Sequence, residues 1–308
     1  MILCCGEALI DMLPRQTTDG EEAFTPKNGG AVFNTAVALG RLGAPAGMLT
    51  GLSTDMFGVQ LRDMLESSQV DTSYIIESDR PSTLAFVRLK DGHATYSFFD
   101  ENSAGRMLTP QDMPKLPENV KALYFSCISL VCEPAADAYA ALAAAEGDTR
   151  AVMLDPNIRT TVIEDEARYR DRLDRMLGLA DIVKVSDEDL EWMVPGEGAL
   201  EDKARGLLDR GPSLVFLTKG GDGVVGFLPG QEPIRVPAER VTVVDTVGAG
   251  DTFSAGVLTS LHNAGWLEKS ALRGLTPEAV ETALAFGAKV AAITVSRAGA
   301  NPPWASEL

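Results

Sequence analysis

The most informative stretch of this sequence is Asp245-Thr246-Val247-Gly248-Ala249-Gly250-Asp251-Thr252-Phe253-Ser254-Ala255-Gly256. It follows a short β-like run, Val241–Val244, and opens a helical pattern from about Asp251 to Asn263. The small residues at 248–250 let the backbone approach a ligand closely at a helix N-terminus. Such a terminus carries roughly +0.5 elementary charge and binds phosphate groups. The stretch therefore predicts a phosphate-binding turn.

Asp251 stands where its carboxylate can face the same ligand. A carboxylate is a poor anion ligand, but it can accept the proton of a hydroxyl that attacks the phosphate. The alternative is that Asp251 only caps the helix and that Gly248 and Gly250 only form a tight turn. The residues by themselves leave both interpretations open.

The net charge of the chain limits the classes of partner that we expect it to bind. Its 308 residues include 27 Lys and Arg and 44 Asp and Glu, a net charge of −17. Such a surface repels polyanions, so we expect neither nucleic-acid nor membrane partners. No run of 18 apolar residues occurs. The first eleven residues lack the basic start of a signal peptide, and we expect a cytoplasmic protein.

Other familiar motifs for phosphate and metal chemistry are missing from the sequence. Phe253 replaces the third glycine of a Gly-x-Gly-x-x-Gly pattern, and no Lys follows a Gly as in a P-loop. His93 and His262 lie far apart, and the cysteines show no zinc-site spacing. We expect the four cysteines to be buried, unreactive thiols; they are Cys4, Cys5, Cys127 and Cys132.

Short apolar runs alternate with helical patterns, which predicts βαβ units and a mainly parallel sheet covered on both faces. The predicted strands are Ile2–Cys5, Gly47–Gly51, Ala122–Cys127, Ala151–Leu154, Asp181–Val185, Leu214–Thr218 and Val224–Leu228. The predicted helices lie near 32–42, 56–69, 134–146, 165–179, 187–194 and 200–210. No linker or repeat divides the chain, so we expect one domain over 1–308.

Two segments break this alternation. Residues 12–28 are polar and too short for a crossover helix, while Thr83–Lys90 and Ala94–Phe99 flank Asp91-Gly92, a β-hairpin signal. Together they predict a small β lid, contributed by about 12–28 and 83–100. Exposed strand edges favour pairing, and we expect a homodimer built through the lids.

Two polar positions are candidate sugar contacts. Asn34 follows the Gly29-Gly30 pair near a helix start and offers both a donor and an acceptor, which suits a polyhydroxyl ligand. Arg159 follows a strand at the edge where open α/β sheets bind ligands. The alternatives are a helix-capping amide for Asn34 and a surface ion pair with Asp155 for Arg159.

The two glycine clusters together resemble the signatures of the PfkB (ribokinase-like) family of carbohydrate kinases. The likeness runs from Gly6 to Ala300, and it is closest to the fructokinase branch through Gly6–Asp11, Asp155–Arg159 and Lys184–Asp189. It implies a three-layer α/β/α fold with a β lid. It also implies ATP-dependent phosphorylation of D-fructose to fructose 6-phosphate. The alternatives are a 2-keto-3-deoxygluconate kinase or ribokinase of the same fold, or a non-catalytic sugar- or nucleotide-binding regulator.

The resemblance also implies roles for particular residues. Asp251 is the expected catalytic base, and the expected anion hole is Gly248, Ala249 and Gly250. The expected sugar contacts are Asp11, Gly29, Gly30, Asn34, Phe98 and Arg159. The expected nucleotide contacts are Lys184, Ser186, Thr218, Gly220 and Gly223.

Two cation sites follow from the same resemblance. Mg²⁺ should arrive with ATP, and Asp189 is the expected indirect contact, in a segment that replaces the family's Asn-x-x-Glu with a shorter carboxylate. Asp245 and Val247 remain as members of a monovalent-cation site for K⁺, in which Pro303 replaces a serine.

Overall fold

The computed structural model describes residues 1–90 and 93–308, with side chains described outside 88–96. The strands are β1 (Ile2–Cys5), β2 (Leu9–Gln16), β3 (Glu22–Gly29), β4 (Ala46–Leu49), β5 (Gly51–Ser53), β6 (Ile76–Ser78), β7 (Leu84–Lys90), β8 (His93–Phe99), β9 (Ala122–Ser126), β10 (Ala151–Asp155), β11 (Ile182–Ser186), β12 (Leu214–Thr218), β13 (Val224–Phe227) and β14 (Ile234–Val236). The helices are α1 (Ala31–Arg41), α2 (Met56–Ser67), α3 (Ala135–Glu146), α4 (Glu166–Leu179), α5 (Asp187–Met193), α6 (Leu200–Gly206), α7 (Ala249–Asn263) and α8 (Pro277–Val295).

The main sheet has the strand order β14-β13-β12-β11-β10-β9-β1-β4. Neighbouring strands in the series β4, β1, β9, β10, β11 and β12 pair in parallel. The strands β13 and β14 add an antiparallel edge. The parallel strands are almost wholly buried, as expected for a sheet with both faces covered. The predicted mainly parallel sheet is confirmed.

Successive strand residues point to opposite faces, and each face has its own apolar core. Cys4, Tyr124 and Phe216 pack with residues of α1, α7 and α8 on one side. Leu3 and Phe125 pack with residues of α3, α4 and α6 on the other. The three-layer α/β/α fold is therefore confirmed.

The second sheet has the order β3-β2-β7-β8 and corresponds to the predicted lid. The pairs β2–β3 and β7–β8 are antiparallel, and β2 pairs with β7 in parallel. It begins at Leu9, slightly before the predicted segment, because the chain passes directly from β1 through Gly6–Ala8 into β2. The predicted turn at Asp91-Gly92 lies outside the described residues.

One element of the sequence prediction is wrong. Val241–Val244 forms no strand, and Val243 and Val244 are each 60% exposed. The antiparallel edge of the main sheet is already formed by β14, and the segment instead ends against α8, where the N–H groups of Val244 and Asp245 donate to the carbonyl of Val295. α8 itself was not predicted, although Thr276 and Pro277 provide a recognisable cap and first turn.

Among the helices in the described part of the chain, none combines the length and apolarity that a membrane crossing needs.

Candidate active site

A cavity of about 290 Å³ lies between the lid and the edge of the main sheet where its parallel strands end. Its walls come from distant parts of the chain: the loop after β1, the start of α1, the loop after β10, and the start of α7. The predicted site residues that it brings together are Asp11, Gly30, Asn34, Phe98, Arg159, Lys184, Val247, Gly248, Ala249, Gly250 and Asp251. Within the described residues, its lining does not include Gly29, Ser186, Asp189, Thr218, Gly220, Gly223 or Asp245.

The glycine turn forms the start of α7. Gly248 adopts the left-handed conformation with φ 76°, and a Cβ there would lie 2.6 Å from the Cβ of Ala300. Glycine is therefore required at this position both for conformation and for space. The helix begins at Ala249, two residues earlier than predicted. The N–H of Ala249 donates to the carbonyl of Thr246 at 3.3 Å, whereas the N–H groups of Gly250 and Asp251 have no carbonyl partner among the described residues and are available to an anion in the cavity.

Asp251 lies in this first turn and is only 7% exposed. The side-chain amide of Asn34 donates to its Oδ2 at 2.9 Å, and the Thr35 hydroxyl donates to its backbone carbonyl at 3.2 Å. Burial raises the pKa of Asp251, while the Asn34 hydrogen bond and the positive charges of Lys184 and Arg159 oppose that rise. The hydrogen bond from Asn34 of α1 orients the carboxylate of Asp251 toward the cavity. A residue that only caps its own helix needs no partner on another helix.

The lid contributes a carboxylate and an aromatic wall. Asp11 on β2 faces the cavity, and burial with the negative charge of Asp251 raises its pKa to about 6. A Cβ at Gly29 would lie 2.1 Å from Oδ2 of Asp11, so this glycine makes room for the carboxylate. Phe98 on β8 packs on a small apolar cluster that includes Leu9 and Ile128.

The loop after β10 carries Arg159 into the cavity. Arg159 is exposed, and its Nη1 donates to the carbonyls of Asn157 and Ile158 in the same loop. The alternative of a surface pair with Asp155 is wrong, because Asp155 is fully buried and bonds Nζ of Lys184 at 2.9 and 3.1 Å. Burial raises the pKa of Asp155 to about 6, although Lys184 opposes the rise. Asn157, which also lines the cavity, was not predicted.

Glu7 is a further residue that the sequence analysis missed. Its Oε1 accepts the N–H groups of Ala31 and Val32 at 2.8 and 3.3 Å, and its Oε2 accepts the Ser129 hydroxyl at 2.7 Å. It thereby ties the loop after β1 to the start of α1 in the cavity wall. Burial raises the pKa of Glu7 to about 7. The signal was visible, since Glu7 is the one charged residue in the otherwise apolar run 2–10.

Glu7→Gln should make the protein progressively more stable than the wild type as the pH rises. The folded pKa of about 7 exceeds the ordinary 4.5, so between these values the folded state keeps a proton that the unfolded state releases. The stability that this proton contributes is lost as the pH rises through 7. At 1.36 kcal/mol per unit, the difference in unfolding free energy should grow by up to about 3 kcal/mol between pH 4.5 and 8. Urea unfolding at several pH values measures it. The exposed Glu281→Gln is the matched control, and a pH-independent difference would refute the assignment.

The predicted nucleotide segment forms a hairpin connection outside the cavity. Thr218 ends β12, Gly220–Asp222 forms a 3₁₀ turn, and β13 returns antiparallel. The two strands that this turn connects were both predicted from the sequence. Ser186 and Thr218 are register neighbours on β11 and β12, two residues beyond Lys184 of the cavity wall.

Asp189 and Asp245 both serve as backbone acceptors. Oδ1 of Asp189 accepts the N–H of Ile158 at 2.8 Å, and Ser186 caps the same helix, α5. Oδ1 and Oδ2 of Asp245 accept the N–H groups of Val247 and Gly299 at 3.0 and 2.9 Å. In the described chain, no group of three or more His, Cys, Asp or Glu side chains could hold a metal ion.

The cysteines are free thiols. Cys4, Cys5 and Cys127 are buried and Cys132 is half-buried, and burial raises the pKa of each thiol, that of Cys132 to about 12. The predicted burial is confirmed for Cys4, Cys5 and Cys127 and is wrong for Cys132, while the low reactivity of the thiols stays a prediction. Cys127 nevertheless lines the cavity, which its apolar surroundings in the sequence did not indicate.

Known proteins share the sequence pattern and the fold of this chain. The sequence model of the family described as "pfkB family carbohydrate kinase" matches residues 1–307. The chain is 50% identical over 280 residues to a fructokinase of Rhizobium leguminosarum bv. trifolii, covering 91% of this chain and 85% of that protein. The ATP-bound fructokinase of Xylella fastidiosa superposes with a TM-score of 0.87 at 29% identity, covering 97% of this chain and 93% of that one. The fructokinase of Vibrio cholerae O395 bound to fructose, ADP and calcium gives 0.83 at 26% identity, covering 97% and 94%.

Proposed function

The chain belongs to the pfkB family of carbohydrate kinases, and we propose that it transfers the γ-phosphoryl group of ATP to D-fructose to give fructose 6-phosphate. The observation that carries the proposal is the buried Asp251 carboxylate beside the glycine turn, in one cavity with Asp11 and Asn34. The relatives named fructokinase support fructose as the acceptor.

The proposed reaction is an in-line displacement. Asp251 accepts the proton of the C6 hydroxyl as its oxygen forms the new bond to the γ-phosphorus. The bond from that phosphorus to the bridging oxygen breaks, and its electron pair leaves with ADP. General-base assistance of this kind contributes about 10²–10⁴-fold, and the N–H groups at the start of α7 stabilise charge on the transferred group.

We assign the sugar to the lid side of the cavity. Asp11 and Asn34 offer acceptors and donors for hydroxyl groups, Gly30 allows the ligand close to the backbone, and Phe98 supplies an apolar wall. Gly29 acts indirectly, through the space it leaves for Asp11.

We assign the nucleotide to the surface beside the cavity, across the carboxyl ends of β11 and β12. Ser186 and Thr218 adjoin there in register, and the turn carrying Gly220 and Gly223 follows directly. The bound nucleotide would then extend from Lys184 in the cavity wall to the hairpin turn. In this position its γ-phosphate lies at the glycine turn that begins α7.

The described residues fit a Mg²⁺ ion that arrives with ATP rather than one held by the protein alone. No carboxylate cluster of metal-binding size occurs among them, and Mg²⁺ commonly binds through substrate phosphates and water. The ion supplies charge neutralisation on the phosphates. Asp189 would act only indirectly, because its oxygens already accept the N–H groups of Ile158 and Ser186.

A monovalent cation such as K⁺ is proposed at Asp245 and the Val247 backbone. Each Asp245 oxygen accepts one N–H group, and a carboxylate has further lone pairs for an ion. The first of these hydrogen bonds lies within the turn and the second holds the turn against Gly299, so an ion here would support the start of α7.

A panel of sugars with ATP tests the proposed function. Fructose should give the highest kcat/KM, ahead of ribose and 2-keto-3-deoxygluconate. The Arg159 guanidinium at the cavity is the observation that favours the last of these as second candidate, because it suits a carboxylate. If no sugar is phosphorylated, the result would contradict the proposed function and favour the alternative of a non-catalytic sugar- or nucleotide-binding regulator.

Arg159→Ala should lower kcat/KM for fructose roughly ten- to a hundredfold with little change in melting temperature. Loss of a charged donor to a substrate oxygen costs about 1.5–3 kcal/mol, and Arg159 bonds only carbonyls of its own loop among the described residues. Arg159→Lys should restore part of the loss, since Lys lacks the planar fork. Arg15→Ala is the matched control, because Arg15 likewise donates to a neighbouring carbonyl but lies on the lid away from the cavity lining. Unchanged kinetics would remove Arg159 from the site, and a loss confined to 2-keto-3-deoxygluconate would favour the second candidate.

We also propose a homodimer through the lids. Phe24, Phe86 and Phe99 form an edge-to-face row with centroid separations of 5.0 and 5.3 Å. Phe24 and Phe99 are 44% and 57% exposed. Phe98 faces the cavity, so the row lies on the opposite face of the lid, where it suits a second copy. Sedimentation at micromolar concentration should show a dimer that Phe24→Asp with Phe99→Asp dissociates. A strictly monomeric wild type would contradict it.

A further inference from the structure

Glu7 is a buried carboxyl group that the proposed reaction does not use. It is 8% exposed and lies between the start of α1 and the turn that follows β9. Gly30, the residue before α1, has no side chain to cap the helix, and Oε1 of Glu7 instead accepts the N–H groups of Ala31 and Val32. The start of α1 brings Gly30 and Asn34 to the cavity, so Glu7 sets the position of this wall.

The contacts of Ser129 indicate the protonation state of Glu7. Oγ of Ser129 lies 2.7 Å from Oε2 of Glu7 and also within hydrogen-bond distance of the carbonyl of Ser126. Both neighbours are acceptors if Glu7 is ionised, and a hydroxyl has only one hydrogen to donate. If Glu7 is a neutral acid with its hydrogen on Oε2, it donates to Ser129, and Ser129 donates to the carbonyl of Ser126. The neutral acid therefore satisfies both contacts, whereas the carboxylate leaves one of them without a hydrogen.

The acidic groups packed around Glu7 favour the same neutral state. Burial raises the pKa of Glu7 to about 7, and the negative charge of Asp251 on α7 adds to that rise. Burial also raises the pKa of the weak acids on β2, after β9 and on α3, which are Asp11, Cys127, Cys132 and Tyr139.

The cations that line a cavity together with Glu7 serve other carboxylates. These are Arg106 in an ion pair with Asp100, Lys184 in an ion pair with Asp155, and Arg159, whose charge opposes the raised pKa of Asp251. A neutral Glu7 adds no further negative charge to a cavity that has to receive a polyphosphate.

We propose that Glu7 is a positioning residue that acts as a neutral carboxylic acid: it donates to Ser129, accepts from the first turn of α1, and holds the sugar-side wall in place without a negative charge beside Asp251. The inference rests on the proposed function, because this wall is the one assigned to fructose. No bond of the substrate forms or breaks at Glu7. As the pH rises through the pKa of Glu7, the group loses its hydrogen, and we expect the wall to bind the sugar less well.

Glu7→Leu and Glu7→Gln separate the hydrogen bonds of this group from its size. Leu removes the donor and both acceptors, and it should raise the KM for fructose about tenfold, the effect of roughly one lost hydrogen bond, with a smaller change in kcat. Gln offers an N–H donor and a carbonyl acceptor in the pattern of the neutral acid, so below pH 7 it should restore KM to within about twofold of the wild type. A Gln variant as impaired as the Leu variant would overturn the proposal.

The pH dependence supplies a readout that packing alone would not move. The ratio of kcat/KM for fructose between Glu7→Gln and the wild type should be near one below pH 7 and rise severalfold by pH 8, because only the wild type ionises at this position. A ratio that does not change with pH would overturn the proposal.

NMR of protein labelled with ¹³C-glutamate tests the neutral state directly, and it does not depend on turnover or on the folding of the Leu variant. A carboxyl resonance that is absent from Glu7→Gln should titrate near pH 7. Titration of that resonance near the ordinary 4.5 would show an ionised group and overturn the proposal.

Asp181→Val is the matched control for Glu7→Leu. Asp181 is also a buried carboxyl group that accepts a backbone N–H, that of Val152, but it lies outside the cavity lining. The control should lower the melting temperature and leave the KM for fructose unchanged; a KM raised as in Glu7→Leu would show a general effect of lost stability and overturn the positioning role. Failure of the proposed function is distinguishable, since the wild type would then phosphorylate no sugar while the NMR titration still reports the state of Glu7.

Discussion

Asp251→Asn should lower kcat at least about a hundredfold while leaving nucleotide binding nearly intact. The amide keeps the size of the side chain and can still bond Asn34, but it cannot accept the proton of the sugar hydroxyl. The loss should fall on kcat, because a base acts in the transition state rather than in substrate binding. Steady-state kinetics with fructose, together with calorimetric titration of an ATP analogue, measure both effects.

Asp202→Asn is the matched control for this variant. Asp202 also lies in the first turn of a helix, α6, and is exposed outside the cavity lining. If Asp251 only capped its helix, both variants would lose a few tenths to about 1 kcal/mol of stability and keep their turnover. Turnover of the Asp251 variant within a few-fold of the wild type would show that another group is the base.

Gly250→Val should abolish most activity without unfolding the protein. Positive φ is required at Gly248, whereas Gly250 is helical and its constraint is space. A Cβ there would press on Nζ of Lys184, and the two further methyl groups of Val would fill the part of the cavity nearest the turn. We expect phosphate approach to be blocked, with kcat/KM for ATP reduced by at least about a hundredfold, as expected when close positioning at the reacting centre is lost.

Gly206→Val controls for placing a β-branched residue in a helix. Gly206 is the last residue of α6, and a Cβ there meets no atom within 4 Å among the described residues. It should lose some stability through helix propensity alone and keep its activity. A folded Gly250→Val enzyme with normal kcat and KM for ATP would contradict the anion-hole assignment.

Much of the fold follows from local sequence patterns. The apolar runs of the central strands and the helix starts are local features, and the observed bounds of β1 and β12 equal the predicted ones. The two glycine clusters lie at helix starts as predicted, and the structure joins Asn34 to Asp251 across 217 positions of sequence. The roles of these residues in catalysis remain predictions.

The parts that the sequence did not reveal depend on long-range register. The sequence analysis predicted that Asp155 follows an apolar strand, but it could not predict the partner of this carboxylate. That partner depends on the register of β10 and β11, which pairs Leu154 with Val183 and so brings Asp155 beside Lys184. The same holds for Glu7, whose partners in α1 and at Ser129 are separate in sequence. At Val241–Val244 the sequence analysis predicted too much structure. The β-branched residues favour a strand locally, but in the described structure the segment pairs with no other strand.

The most direct test of the proposed function is the identity of the product. Purified enzyme, ATP, Mg²⁺ and ¹³C-labelled fructose should yield a phosphomonoester resonance in the ³¹P spectrum that is coupled to C6 of the sugar, with ADP formed in equal amount. A phosphate on another carbon, or ADP released without any phosphorylated fructose, would contradict it.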